Sequence, residues 1–567
     1  MKEVKYPENI DILSVGAMPI IADYCNELGM REIVNDVVRW DKDQWSITPG
    51  ELLIAMVINL LISRSPLYRI RQFYENTDLD LIFGKGRVTL PVLHDRHFGE
   101  LLDRMHEANP RLIFDMISTN AILRHDIDLT LLRSDTTSHS VYGAYDGAEH
   151  SALNITYGHS KDHRPDLKQF LYGLVVAEGV PVAGTVMDGN TSDKAWNPEM
   201  IRELSEMVVH HVQHKVMYIA DSAAVTPDSL HALHDQMYFV SRLPGTYGLT
   251  TKVKARAFAE NQWVQVGPLN ERNHAAEYKL WVTEDELEGH HYRFIVVQST
   301  ALAKSKLQTI QRKVEQEQKK LQKMISDQEK RRYACEADAQ VALMEFLSAC
   351  PTAFHNPAAQ VQSIQKEIPR QTRGRRPTHY VPEYETLWQI VGQVGPIDPV
   401  KLQAAQHFGE TFILMTNEFT LDPVEVLRRY KGQISIENRF RWLKNPTGVD
   451  QTWLKTPKRV LSLGYVFLIG LLIYSLVERR LRKNLSQETK SLRLPGNRLT
   501  KTPTTTAFLQ LFQDVSVMTV VNPDGSIHRV LPRRFNTPEL QRATRLVGVN
   551  FMRFSLTPEE FDEQLHT

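Results

Sequence analysis

The sequence predicts an α/β protein: a mixed-sheet core interrupted by a β-rich plus helical insertion and preceded by an α-helical N-terminal domain. Three observations carry this reading. Strand-like apolar runs crowd residues 129–243, helical runs fill residues 1–125, and the strand pattern resumes at 411–417 only after a long charged stretch.

Residues 1–125 form the helical N-terminal domain, a module suited to reading DNA or to docking. In "ITPGELLIAMVINLLISR", Thr48 caps a helix, Pro49 takes its first position and Glu51 is placed for a capping box. Residues 126–260 are the first part of the core. Strands are expected at 129–135, 170–177, 181–189, 215–221 and 237–244, with the helix "NPEMIRELSEMVVHHV" between the third and fourth. The opening hairpins are antiparallel, so the sheet is mixed.

Residues 261–410 read as the insertion. "WVQV", "EYKLWV" and "HYRFIVVQ" suggest a small β layer. Leu307, Ile310, Val314, Leu321 and Met324 then fall at heptad positions, with Glu317 interrupting one, which predicts a helical hairpin with "ADAQVALMEFLSA". The basic loop "RQTRGRRP" carries Arg373, Arg375 and Arg376, either as solvated surface or as phosphate contacts. Residues 411–483 complete the core, with the strand "TFILMTN" and a helix opened by Asp422, Pro423 and Glu425. The C-terminal region, 484–567, holds one helical stretch, "TTTAFLQLFQDV", and a hairpin turning at Asn522–Gly525.

Charge is balanced, 67 basic against 67 acidic residues, so no global field draws the chain to a polyanion and DNA contact must come from local patches. Three cysteines without ligand spacing argue against a disulfide framework or a zinc ribbon. With no signal-like N-terminus, the expectation is a cytoplasmic protein. Residues 460–477 contain no charge and are just long enough to cross a membrane. Their Ser462, Gly464, Gly470 and Ser475, and the lack of a second such segment, favour a buried core helix.

Two of the expected strands end in an acid, Asp135 and Asp221. If the strands are neighbours, two carboxylates meet at one rim, which suits an all-oxygen Mg²⁺ or Mn²⁺ site; the plainer reading is a pair of turn caps. A loop of Ser134, Thr136, Thr137 and Ser138 would aim Asp135. A third acid comes from "RRYKGQISIENRFRWLK". At 100° per residue, Tyr430, Gln433, Glu437, Arg441 and Lys444 fall on one polar stripe beside an apolar stripe of Ile436, Phe440 and Leu443, with Gly432 a possible kink.

Asp135, Asp221 and Glu437 resemble the DDE triad of bacterial insertion-sequence transposases with an RNase H-like core. The spacing Tyr430-x2-Gln433-x3-Glu437-x6-Lys444 is similar to the Y-R-E-K signature of the IS-four type, although Gln433 stands where that signature has Arg. "GHSKDHRPDLKQ" and "PVAGTVMDGNTSD" look most like its IS-sixteen-thirty-four branch. The resemblance implies an RNase H-like core and a DNA transposase that cuts at insertion-sequence ends and joins the 3′-hydroxyl to target DNA. It implies two Mg²⁺ ions (Mn²⁺ substituting) held by Asp135, Asp221 and Glu437. Tyr430, Gln433 and Lys444 would position DNA, with Arg441, Arg439, Arg373, Arg375 and Arg376 as further backbone contacts. Double-stranded DNA, both terminal inverted repeats and target, is the implied partner, bound by a homodimer in a synaptic complex, nucleoid-associated when acting and with no membrane role. In "DGNTSD", Asn190 and Asp193 would support the site, or form a plain turn. A metal-dependent nuclease or a domesticated DNA-binding relative is the alternative, and a membrane-associated coiled-coil scaffold the third reading.

Overall fold

The computed structural model describes residues 8–145, 152–209, 215–234, 236–269, 275–369, 379–444, 454, 456–524, 526–556 and 560. The loop with Arg373, Arg375 and Arg376 lies outside them. By its internal packing the chain divides into two units, residues 1–241 with 429–567, and residues 242–428.

The first unit opens with β1 (Asn9–Ser14) and seven helices: α1 (Met18–Glu27), α2 (Met30–Val37), α3 (Pro49–Ile62), α4 (Ile70–Phe73), α5 (Leu79–Phe83), α6 (Asp95–Glu107) and α7 (Pro110–Arg124). Thr48 caps α3 by accepting from the Glu51 N–H, with Pro49 in the first turn. The Glu51 carboxylate does not close the capping box; it is buried on Arg31 at 2.5 Å. A helix this apolar is held by burial on nearly every side.

The core follows as β2 (Leu131–Val141), β3 (Lys168–Ala177), β4 (Val180–Met187), α8 (Asp193–Val209), β5 (Met217–Ala220), α9 (Pro227–Leu233) and β6 (Tyr238–Arg242). The strand order is β4-β3-β2-β5-β6. The first three strands are antiparallel neighbours, and β5 and β6 run parallel to β2. Three meander strands followed by two parallel ones make the core RNase H-like, and β3 is buried along most of its length as a central strand should be. One sequence expectation fails here. The hydroxyl run after Asp135 is not a loop, because Ser134, Thr136, Thr137 and Ser138 are buried and continue β2 as far as Val141. Thr is at home in a pleated strand, and small side chains fit a face that is covered.

The second unit comprises α10 (Gly248–Glu260), β7 (Val264–Pro268), β8 (Glu277–Leu287), β9 (His290–Ser299), α11 (Thr300–Glu329), α12 (Glu336–Ala349), β10 (Ala358–Glu367), β11 (Tyr384–Gln393), α13 (Pro399–Glu410) and β12 (Thr411–Thr416). Strands β12, β9, β8 and β7 pair antiparallel in that order. The two helices expected to form a hairpin, α11 and α12, share a core of Leu321, Ile325, Phe346 and Cys350, and Ile390 of the β10–β11 ribbon joins it. Glu317, the heptad interruption, is buried and accepts the Phe354 N–H at 3.3 Å. This contact pairs one carboxylate oxygen, and the other lies 3.9 Å from the buried His355 ring nitrogen.

Asp422 caps α14 (Pro423–Lys431) through the N–H groups of Val424 and Glu425. The stretch read as one helix is two, α14 and α15 (Ile434–Leu443), broken at Gly432 and Gln433. A Cβ at Gly432 would lie 2.5 Å from the Arg133 guanidinium, so a larger residue at the joint would push that side chain aside. Tyr430 therefore sits on a different helix from Glu437, and the stripe computed through the break holds only beyond Gln433.

The chain ends with α16 (Pro457–Gln487), β13 (Leu492–Leu494), β14 (Arg498–Thr500), α17 (Thr505–Leu509), β15 (Ser516–Val521), β16 (Ile527–Val530) and α18 (Pro538–Leu546). Of the most apolar eighteen residues of α16, 89% are buried, so the long apolar run is a core helix. Gly464 lets it approach Val186 of β4, and the Ser462 hydroxyl donates to Leu102 O at 2.8 Å.

Candidate active site

Parallel pairing of β2 with β5 aligns Leu131 with Met217, Leu132 with Tyr218 and Arg133 with Ile219. Strand β5 stops at Ala220 while β2 runs on. Two residues beyond the last of these pairs, β2 carries Asp135 and the chain leaving β5 carries Asp221, near enough for the Asp221 charge to act on Asp135. The sheet thus presents two carboxylates where one strand has ended and left a notch.

Each acid is held by backbone. Asp135 accepts the Thr136 N–H at 2.8 Å, and Asp221 accepts the Ala223 N–H at 3.0 Å while its carbonyl takes the Ser241 hydroxyl at 2.6 Å. Burial pushes the Asp135 carboxyl up to about 6, with Asp221 and Asp193 adding to the rise and Lys161 and the Thr136 N–H opposing it. Asp221 is raised as well, again chiefly by burial, with Asp193 pushing the same way. Two half-buried acids that disfavour each other's charge are a site made for a cation.

Asp193 and Lys161 complete the constellation. Asp193, at the start of α8, accepts the Thr136 hydroxyl and pairs with Lys161 at 3.1 Å. Asn190 of the same motif is exposed, so only Asp193 reaches the acids. The intervening turn is tightly stitched: the Gln169 amide donates to Gly189 O at 2.7 Å, and a Cβ on Gly189 would lie 2.0 Å from Gln169 O. No larger residue fits there, which explains the glycine of "DGNTSD". Lys161 received no role in the sequence reading. Its signal was the "SKD" of "GHSKDHRPDLKQ", but nothing local tells that this loop folds back on β2.

Glu437 is exposed on α15, a helix packed along β2 and β3. Among the described residues no three of His, Cys, Asp and Glu gather into a group able to hold a metal ion, so the glutamate is not assembled with the two aspartates. Carboxylates converge around a cation and otherwise repel, and a solvated Glu on a helix face has no reason to approach a buried acidic pair. The donor chemistry nonetheless fits Mg²⁺ or Mn²⁺: two carboxylates, both with pKa values raised chiefly by burial, offer the oxygen ligands such ions prefer.

Of the DNA contacts expected from sequence, Lys444 lies beside the site and binds Asp162 at 2.5 Å, next in the chain to Lys161. Tyr430 and Gln433 are half-buried on either side of the Gly432 break, and Arg441 is exposed with a bond to Asn438 at 3.1 Å. Arg439 is a correction. It is 6% exposed and turned inward, donating to Gly179 O at 2.7 Å and to the buried Glu478 at 2.8 Å. Helical phase explains the difference, since Arg439 lies on the same side of α15 as Ile436 and Phe440.

His139, on the same strand as Asp135, packs edgewise on Tyr172 and at a tilt on Phe170. Burial lowers its pKa to about 4, helped by Lys444 and opposed by Asp162. The unfolded chain takes up this proton near 6.5 and the folded chain only near 4, so acid favours unfolding across that window. Between pH 7 and 4.5 the wild type should lose about 2 kcal/mol that His139→Phe keeps, measured by urea unfolding at both pH values. Equal losses in the two proteins would refute it.

An acid pair at the edge of a mixed sheet is a site that a metal-dependent phosphodiester-processing enzyme can use, and the DDE class itself rests on the family match. The chain belongs to the family described as Transposase DDE domain, which it matches over residues 135–469, beginning at Asp135 itself. It is a DDE-type DNA transposase, and domains of this kind depend on divalent metal. Residues 10–119 match a domain of unknown function, DUF4277. No curated protein matches the chain. Among solved structures it aligns with "Cryo-EM structure of piggyBac transposase synaptic complex with hairpin DNA (SNHP)", at 9% identity and a TM-score of 0.37 over 92% of this chain and 84% of that one. So loose a likeness adds no weight to the family match.

Proposed function

We propose that this protein is an insertion-sequence transposase of the IS-four type, in the IS-sixteen-thirty-four branch, that cuts at the element's ends and joins the freed 3′-hydroxyl to target DNA. The observation that carries this reading is the neighbouring pair Asp135 and Asp221, at the point where the family match begins. Asp135 and Asp221 would hold two Mg²⁺ ions together with Glu437, brought in from α15, and Mn²⁺ can replace them. Bound there, the metal supplies the positive charge that activates the attacking oxygen and stabilises the leaving one.

In the first step water attacks phosphorus at the element end, the bond to the 3′-oxygen breaks, and that oxygen leaves as a hydroxyl. In the second the 3′-hydroxyl attacks a target phosphodiester and displaces a target 3′-oxygen. Both are substitutions at phosphorus, so one set of carboxylates serves for both. Lys444 and Tyr430 would seat the terminal phosphate and nucleotide. Gln433 donates hydrogen bonds to phosphate without adding charge. Arg441 and the loop of Arg373, Arg375 and Arg376 would follow the backbone. The reading includes a homodimer that synapses two ends, in the cytoplasm of a bacterium at its nucleoid.

The test begins with the DNA flanking the gene, which should carry terminal inverted repeats and a short target duplication. Duplex bearing those repeats, incubated with the protein, a target plasmid and Mg²⁺, should yield joined products. Nicks without joining would replace this reading with a metal-dependent nuclease.

A further inference from the structure

Lys161 stands among four oxygens. Its ammonium donates to Thr136 O at 2.8 Å and Thr136 Oγ1 at 2.6 Å, and lies 3.1 Å from Asp193 Oδ2 and 3.7 Å from Asp135 Oδ1. The loop that delivers it is pinned to β2, where the Lys161 N–H donates to the Ser138 hydroxyl at 2.9 Å. Lys161, Asp135 and Asp193 are each less than a third exposed, so solvent screens these charges only in part. An all-oxygen cage with two carboxylates is what a hard cation selects, and here a side chain supplies the cation.

We propose that Lys161 is a positioning residue, a tethered monovalent counter-ion that keeps Asp135 and Asp193 aimed and competes with the divalent ion for Asp135. The proposal rests on reading Asp135 and Asp221 as the metal-binding pair. An ammonium beside Asp135 neutralises part of the charge a divalent ion would meet and repels that ion directly. Removing it leaves the acids uncompensated, so the fold weakens without metal while metal binding strengthens. Asp193 then anchors the lysine, which gives "SKD" and "DGNTSD" one joint role.

The experiment titrates the full chain with Mn²⁺ alone by calorimetry and records thermal midpoints in EDTA and in saturating Mn²⁺. Lys161→Met should bind Mn²⁺ at least about threefold more tightly than wild type. Its midpoint should fall in EDTA and recover in Mn²⁺. Lys161→Arg, which keeps the charge, should behave as wild type. Mn²⁺ affinity that is unchanged or weaker in Lys161→Met overturns the proposal, even if the variant unfolds more easily, because a merely structural lysine would destabilise equally with and without metal. If Lys161→Met does not fold, Lys161→Gln, which can still donate to Thr136, is read by the same criterion. Asp135→Asn separates the two layers of inference. Undiminished Mn²⁺ binding in that variant refutes the metal pair itself, whereas lost binding beside a neutral Lys161→Met refutes the lysine's role alone.

Discussion

Asp135→Asn and Asp221→Asn should each depress end cleavage and strand transfer by more than about a hundredfold, beyond what is usual for residues that only support a metal ligand. Binding to end DNA should be retained, because it is spread over many phosphate contacts. Asn is the informative substitution. Its amide oxygen can still accept the N–H of Thr136 or Ala223, so backbone geometry survives while the anionic ligand is lost. The thermal midpoint of Asp135→Asn without metal should not fall, since burial already holds that carboxyl up at about 6 and a neutral side chain removes the penalty. Glu437→Gln belongs in the same series. Joined products at the wild-type rate from any one variant would remove that residue from the site, and Glu437, exposed and apart from the pair, is the most demanding case.

The second large effect is on stability, at a residue that looks like a DNA contact in the sequence. Arg439→Met should lower unfolding free energy by about 3 kcal/mol, because it strands Glu478, 4% exposed, in the core. It also removes the bond to Gly179 O in the β3–β4 turn, where φ is +79° and a Cβ would lie 3.1 Å from the guanidinium. Arg482, 3.2 Å from Glu478, compensates only in part because it is itself 39% exposed. Arg441→Ala, two residues along on the open face, should change stability by less than about 0.5 kcal/mol. Urea midpoints without DNA decide between these outcomes. An Arg439→Met variant as stable as wild type but weakened in DNA binding would restore the sequence reading.

Periodicity and chain punctuation were enough to read the class of fold, the places of the core strands along the chain, the capped starts of α3 and α14 and the buried character of α16. Those features depend on neighbours in the chain, and local chemistry expresses them directly. The residue types of the acid pair were legible for the same reason, since an acid at the end of an apolar run is conspicuous. Tertiary structure decided what depends on distant segments. β2 runs past β5 and opens the notch, the loop from "GHSKDHRPDLKQ" returns Lys161 to Thr136, and Arg439 turns inward while Arg441 faces out. The packing at the Gly432 break belongs here as well, because the guanidinium that lies against it comes from Arg133, almost three hundred residues earlier. Strand lengths, ion pairs and the inner side of a helix are set by which surfaces exclude water together, and that is a property of the folded chain rather than of any one stretch of it.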